Sequence, residues 1–123
     1  MLRAADVVVC ATSARAPVFD SSLLRDGAVV VAVGSHEPDA RELDAALLGR
    51  ATVVVEDVAT ALREAGDVVL AIAEGALTAD DLVPVRDAVT GAIPPPADRP
   101  LVFKSVGMSW QDLVVAAAVV ESG

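Results

Sequence analysis

The sequence has no tyrosine, two phenylalanines, one tryptophan and one cysteine among its 123 residues. Each scarcity excludes something. A lone thiol, Cys10, forms no internal disulfide and cannot build a zinc site unaided, so no metal site and a reducing compartment, the cytoplasm, are expected. With so few rings, a core must be built from small aliphatic layers, which suits a parallel sheet covered by helices. Positive charge is also scarce, with 9 Lys and Arg against 18 Asp and Glu, a net charge of −9. That balance argues against a nucleic acid or an anionic membrane surface as partner. It leaves a dinucleotide open, because a pyrophosphate is held locally by backbone N–H groups and a helix N-terminus. No apolar run is long enough to span a bilayer. Met1-Leu2-Arg3 followed by Val7 to Ala11 faintly mimics a signal peptide, but Asp6 splits it and the apolar run is short.

What the sequence does have is aliphatic residues, within an apolar content of 54% that makes disorder a poor reading. Four runs rich in β-branched residues read as buried strands: Val7 to Ala11, Ala28 to Val33, Thr52 to Val55 and Leu101 to Phe103. Between the second and third, Asp39 as N-cap with Glu42 three positions later predicts a helix from about Ala40 to Gly49. After the third, Val58 to Ala65 lacks breakers until Gly66, which would take the left-handed conformation past a helix end. Asp67 to Ala73 fits either a strand or a buried helical turn. Thr78 would cap a helix running through Leu82, Pro84 and Val89, and the proline-rich segment from Ile93 to Pro100 would be a surface connection. Ser109 caps a last helix, about 109–121, whose Leu113 to Val120 stretch is apolar on every face and should be buried on several sides.

The alternation of strands and helices is that of a right-handed parallel α/β sheet with helices on both faces. No internal repeat or long linker divides it, so residues 1–123 read as one domain or part of one. In such sheets ligands bind beyond the carboxyl ends of the strands. The informative residues are then Thr12-Ser13, Gly34-Ser35-His36, Glu56-Asp57 and Lys104-Ser105-Val106-Gly107. Twice a glycine lies near a serine, which suits close approach of a flat ligand and, more simply, a tight turn.

The wording of three motifs, in order, says more. They are Ala5-Asp6-Val7-Val8-Val9-Cys10-Ala11-Thr12-Ser13, then Val31-Ala32-Val33-Gly34-Ser35-His36-Glu37-Pro38-Asp39-Ala40-Arg41-Glu42-Leu43-Asp44, then Phe103-Lys104-Ser105-Val106-Gly107. Together they resemble the ornithine cyclodeaminase and mu-crystallin family, and the resemblance continues through Glu64-Ala65-Gly66-Asp67 and the helix opening at Asp112-Leu113. It implies a Rossmann-type fold: the carboxyl-terminal half of an NAD- or NADP-binding domain plus a C-terminal helix. The glycine-rich phosphate loop that opens such a domain is expected well before Ala4, and no G-x-G-x-x-G occurs here.

Carried over by position, Thr12 and Ser13 match the loop lining the dinucleotide, Val33 and Gly34 with Ser35 the loop beside the nicotinamide, and Ser105, Val106 and Gly107 the segment closing over its ring. His36 stands where the cyclodeaminases carry an Asp in a Gly-Gly-Asp sequence, and Lys104 where they carry an acidic residue in Phe-Asp-Ser. Both departures favour the reductase and mu-crystallin-like members. On its own, His36 is most simply an exposed loop residue, with a catalytic role as the rival reading; Asp39 is a helix cap, Cys10 a small buried residue, and Lys104 a salt-bridged or a ligand-facing residue. The implied activity is that of an imino-acid (ketimine) reductase or amino-acid dehydrogenase acting on a small imino or amino acid. The alternatives are ornithine cyclodeaminase proper or a non-catalytic nucleotide-binding fragment. Half of a doubly wound sheet exposes an unpaired edge, so a homo-oligomer is expected.

Overall fold

In the computed structural model the described residues are 1–93 and 97–123; Pro94, Pro95 and Pro96, part of the expected surface connection, lie outside them. The four valine-rich runs become the strands β1 (Val7–Cys10), β2 (Val29–Ala32), β3 (Thr52–Val55) and β5 (Leu101–Lys104), and a short β4 (Leu82–Pro84) joins them. All pairings are parallel, in the order β1-β2-β5-β3-β4. The fifth strand sits beside β2 rather than at the edge, so the chain crosses over the sheet, as doubly wound folds do.

Because side chains alternate along a strand, register sorts the valines into two faces. Val8, Val30, Val102, Val53 and Leu82 form one row, and Cys10, Ala32, Lys104, Val55 and Pro84 the next row on the same side. Helices α1 (Ala45–Arg50), α2 (Val58–Glu64) and α3 (Gly66–Ala73) supply Leu47, Leu48, Ala61, Val68 and Ala71 to the same core. The opposite side carries Val7, Val29, Leu101 and Thr52, then Val9, Val31, Phe103, Val54 and Val83. There, α4 (Val85–Val89) approaches β3 and β4, but Val7 and Val9 of β1 remain 59% and 64% exposed. Helices expected on both faces therefore cover one face well and the other only in part.

Several local expectations are corrected. The helix predicted from Ala40 begins at Ala45, because Asp44, not Asp39, is the cap: its Oδ1 accepts from Leu47 N at 2.7 Å. Residues before it are instead drawn into the irregular approach of Glu42 to two loops, described below. Gly66 is not left-handed; it opens α3 directly after Ala65, and a Cβ there would lie 1.9 Å from the Ala40 carbonyl oxygen. The ambiguous 67–73 stretch is thus helical. Thr78 does head a turn, but only a single 3-10 turn, Ala79–Asp81, where its N–H and hydroxyl both donate to Asp81 Oδ2 at 2.9 and 2.8 Å. Leu82–Pro84 then runs as an edge strand, where proline's missing N–H is tolerated. Between β1 and β2 the chain forms one 3-10 turn, Ser21–Leu23.

The last helix, α5 (Ser109–Ser122), forms where the sequence predicts it but buries none of its residues. Leu113, Val115, Val119 and Val120 are 64% to 80% exposed. The expected burial on several sides is not met within the described residues.

Candidate functional site

At the carboxyl ends of β1 and β2 the loops Thr12 to Arg15 and Val33 to Ala40 enclose a cleft of about 310 Å³, the lower end of the range for small-molecule sites. Thr12, Ser13, Val33, Gly34, Ser35 and His36 all line it, so the structure brings together the sequence-predicted residues of two loops. His36 lies exposed at the rim, its Nδ1 3.5 Å from the Gly34 carbonyl oxygen. Arg15, which no motif pointed to, also lines the cleft and pairs with Glu37 at 3.2 Å and Asp39 at 2.6 Å. This is the work Asp39 does in place of capping.

The spacing of the two loops is set from beneath by Glu42, which is fully buried. Its Oε1 accepts from Thr12 N at 2.6 Å and from Thr12 Oγ1 at 2.8 Å, and its Oε2 accepts from Gly34 N at 2.9 Å. The loops meet so closely that a Cβ on Gly34 would lie 2.1 Å from the Thr12 carbonyl oxygen. Glycine is required there by the loop-to-loop approach, not by a turn. Burial pushes the Glu42 carboxyl up, but the Thr12 N–H and hydroxyl, the Gly34 N–H and the Lys104 charge outweigh it and hold the group below its ordinary value.

Behind Glu42 stands a buried ion pair. Lys104 Nζ donates to the Ser35 carbonyl oxygen at 2.5 Å and lies 3.0 Å from Asp67 Oδ2, with both side chains wholly buried. The Lys104–Asp67 approach is ionic rather than directed, and Oδ2 has no hydrogen-bond partner among the described residues. Asp67 Oδ1 accepts from the backbone N of Glu42 and Leu43 at 2.7 and 2.8 Å. Ser35 Oγ donates to the Ala40 carbonyl oxygen. Of the two readings of Lys104, the salt-bridged one holds, and the residue is internal. Cys10, close to this cluster, has its thiol pushed up to about 11, first by burial and then by Glu42 and Asp67, which leaves it a neutral, buried residue.

Ser105, Val106 and Gly107 do not line this cleft. They follow β5 and gather around Glu56 at the end of β3, whose Oε1 accepts from Ser105 Oγ and, at 3.3 Å, from Gly107 N. Gln111 of α5 donates to the other Glu56 oxygen, and Gly107 takes a φ of 79° that starts the turn into that helix. Val106 lines a smaller depression with Val55, Thr60 and Met108.

Glu42 and Arg15 are the site residues that sequence reasoning missed. A signal for Glu42 did exist: Asp44 immediately before the apolar Ala45 to Leu48 stretch is the better helix cap, which frees Glu42 from that role. Among the described residues no helix is long and apolar enough to cross a membrane, and no group of three or more His, Cys, Asp or Glu could hold a metal ion.

A parallel sheet with a cleft at its carboxyl end, built on loops rich in glycine and serine, defines a Rossmann-type α/β protein. The chain belongs to the ornithine cyclodeaminase/mu-crystallin family, whose model matches residues 1–123. It is 37% identical over 120 residues to the Delta(1)-pyrroline-2-carboxylate reductase of Colwellia psychrerythraea, covering 95% of this chain and 38% of that protein. It is 37% identical over 118 residues to the ketimine reductase mu-crystallin of Mus musculus, covering 96% of this chain and 36% of that one. Among solved structures it is similar to Thermococcus litoralis Delta(1)-pyrroline-2-carboxylate reductase in complex with NADH and L-proline, with TM-score 0.86, 28% identity, and coverage of 94% and 37%. The chain thus spans well under half the length of the relatives it matches.

Proposed function

We propose that residues 1–123 form the later half of a nicotinamide-dinucleotide-binding domain of an imino-acid (ketimine) reductase or amino-acid dehydrogenase, working in the cytoplasm. The observation that carries this reading is the cleft at the carboxyl ends of β1 and β2, where Ser13, Val33, Gly34 and Ser35 gather on two loops locked to each other. NADH in a similar solved structure supports the same assignment. When bound, NAD or NADP supplies the hydride chemistry.

The residues fit a flat, polar ligand in distinct ways. Val33, 43% exposed, offers an apolar surface beside the bare backbone of Gly34. Thr12 has its N–H and hydroxyl committed to Glu42, whereas among the described residues no such hydrogen bond engages Ser13. Ser13 is then the free hydroxyl for a ribose or amide. Ser105, Val106 and Gly107, outside the cleft in this structure and held by Glu56, follow β5, the neighbour of β2, and are proposed to contact the cofactor from there. The small imino- or amino-acid substrate is gripped by residues outside this chain. β1 has an unpaired edge and an open face, which supports assembly into a homo-oligomer.

Ornithine cyclodeaminase proper is the weaker reading. It needs a carboxylate where His36 stands, and the adjacent Glu37 is engaged by Arg15. Titration of the 123-residue chain with NADH and with NADPH, followed by fluorescence of Trp110, tests the proposal. Trp110 is 55% exposed in α5 beyond the Ser105–Gly107 segment. Saturable quenching, matched by heat in calorimetry, is expected; a chain that gives neither with either cofactor sinks the proposal and leaves a non-binding fragment.

A further inference from the structure

Two links join the loops of the cleft, and they differ in kind. Arg15 reaches Glu37 and Asp39 across the mouth, but all three side chains are more than half exposed, where ion pairs contribute little. Glu42 lies beneath the floor, and its one carboxylate takes three donors from the two loops: Thr12 N, Thr12 Oγ1 and Gly34 N. It is anchored from behind, since Asp67 holds its backbone N–H while Lys104 bridges Asp67 and the Ser35 carbonyl.

We infer that Glu42 is the positioning residue of the cleft: without touching a ligand, it sets the spacing of Thr12 and Gly34 on which dinucleotide affinity depends. This rests on the dinucleotide reading above. The chemistry demands a carboxylate. Both oxygens accept at once, whereas a glutamine has one acceptor oxygen and would turn an NH2 against either Gly34 N–H or the Thr12 pair. Aspartate, a methylene shorter, cannot span both loops. A buried donor left without a partner is costly, so one loop would move away.

The test compares the chain with its Glu42→Gln and Thr12→Val variants by NADH titration, urea melting and residue-resolved amide exchange. Glu42→Gln is expected to weaken NADH binding about tenfold or more. Exchange should speed up at Thr12 and Gly34 while Val30 and Val102, in the sheet core, keep their protection. Thr12→Val, which removes one of the three bonds, should give a smaller loss in the same direction, and it serves if Glu42→Gln does not fold. Unaltered NADH affinity in folded Glu42→Gln, or in Thr12→Val if Glu42→Gln does not fold, overturns the inference. So does a uniform rise in exchange across the sheet, which marks a merely structural role. If the unaltered chain binds no NADH, the dinucleotide reading fails by itself; the loop-spacing role of Glu42 then stands or falls on whether exchange at Thr12 and Gly34 rises selectively.

Discussion

The two faces of the sheet are written in nearly the same residues and meet opposite fates. On the side of α1, α2 and α3, Val30, Val53, Val55 and Val102 are at most 1% exposed. On the other side, one residue along the same strands, Val7 and Val9 stand open while Val29, Val31 and Phe103 are half-buried. The covered face also carries the charged cluster of Glu42, Asp67 and Lys104, whereas the strands present no charged residue to the other face. Polarity therefore does not report burial in this molecule. Buried charge is where the loops of the cleft are organised, and exposed valine is where the described residues leave the sheet uncovered.

The largest effect expected from breaking this contrast is at the buried pair. Asp67→Ala leaves the Lys104 ammonium without its counter-ion and frees the Glu42 and Leu43 N–H groups. A loss of about 3–5 kcal/mol is expected, read from urea melts; a loss below about 1 kcal/mol would mean that Lys104 escapes to solvent. Next in size is a pH effect at Glu42. Its folded carboxyl is held below its ordinary value, so its stabilisation is complete above the unfolded carboxylate range and is lost as pH falls through the folded value. The acid limb of the stability profile should flatten in Glu42→Gln, and an identical limb would assign that dependence to other carboxylates. The smallest effect belongs to the open face: Val9→Thr should change stability by no more than about 0.5 kcal/mol. A cost several times larger, or one that varies with protein concentration, would show that this face is covered in solution by a second copy.

How much could be read beforehand follows from the range of the interactions. The four strands were legible because runs such as Val7 to Cys10 carry their own β propensity, although β1, expected to be buried, stays largely open. The 58–64 helix was legible because its composition lacks breakers, and its Asp57 cap bonds Thr60 only three residues away. β4 was not legible: three residues ending in a proline have no periodicity to detect, and pairing with β3 makes them a strand. In the site, Thr12, Gly34 and Ser35 stood out through motif wording, and the cleft does gather them. Glu42 did not stand out, because its partner Thr12 lies 30 positions away and the only local hint was that Asp44 is the better helix cap.

Local chemistry was sufficient for four of the five strands, the 58–64 and last helices, the parallel α/β class and the family motifs, since propensity and breakers act within a few residues. Only the folded chain decided which valine row is covered, that Lys104 and Asp67 pair in the interior, that α5 stands uncovered, and that Glu42 joins two loops. Those outcomes depend on crossing connections and on desolvation, both set by residues remote in sequence that the sheet order β1-β2-β5-β3-β4 brings side by side.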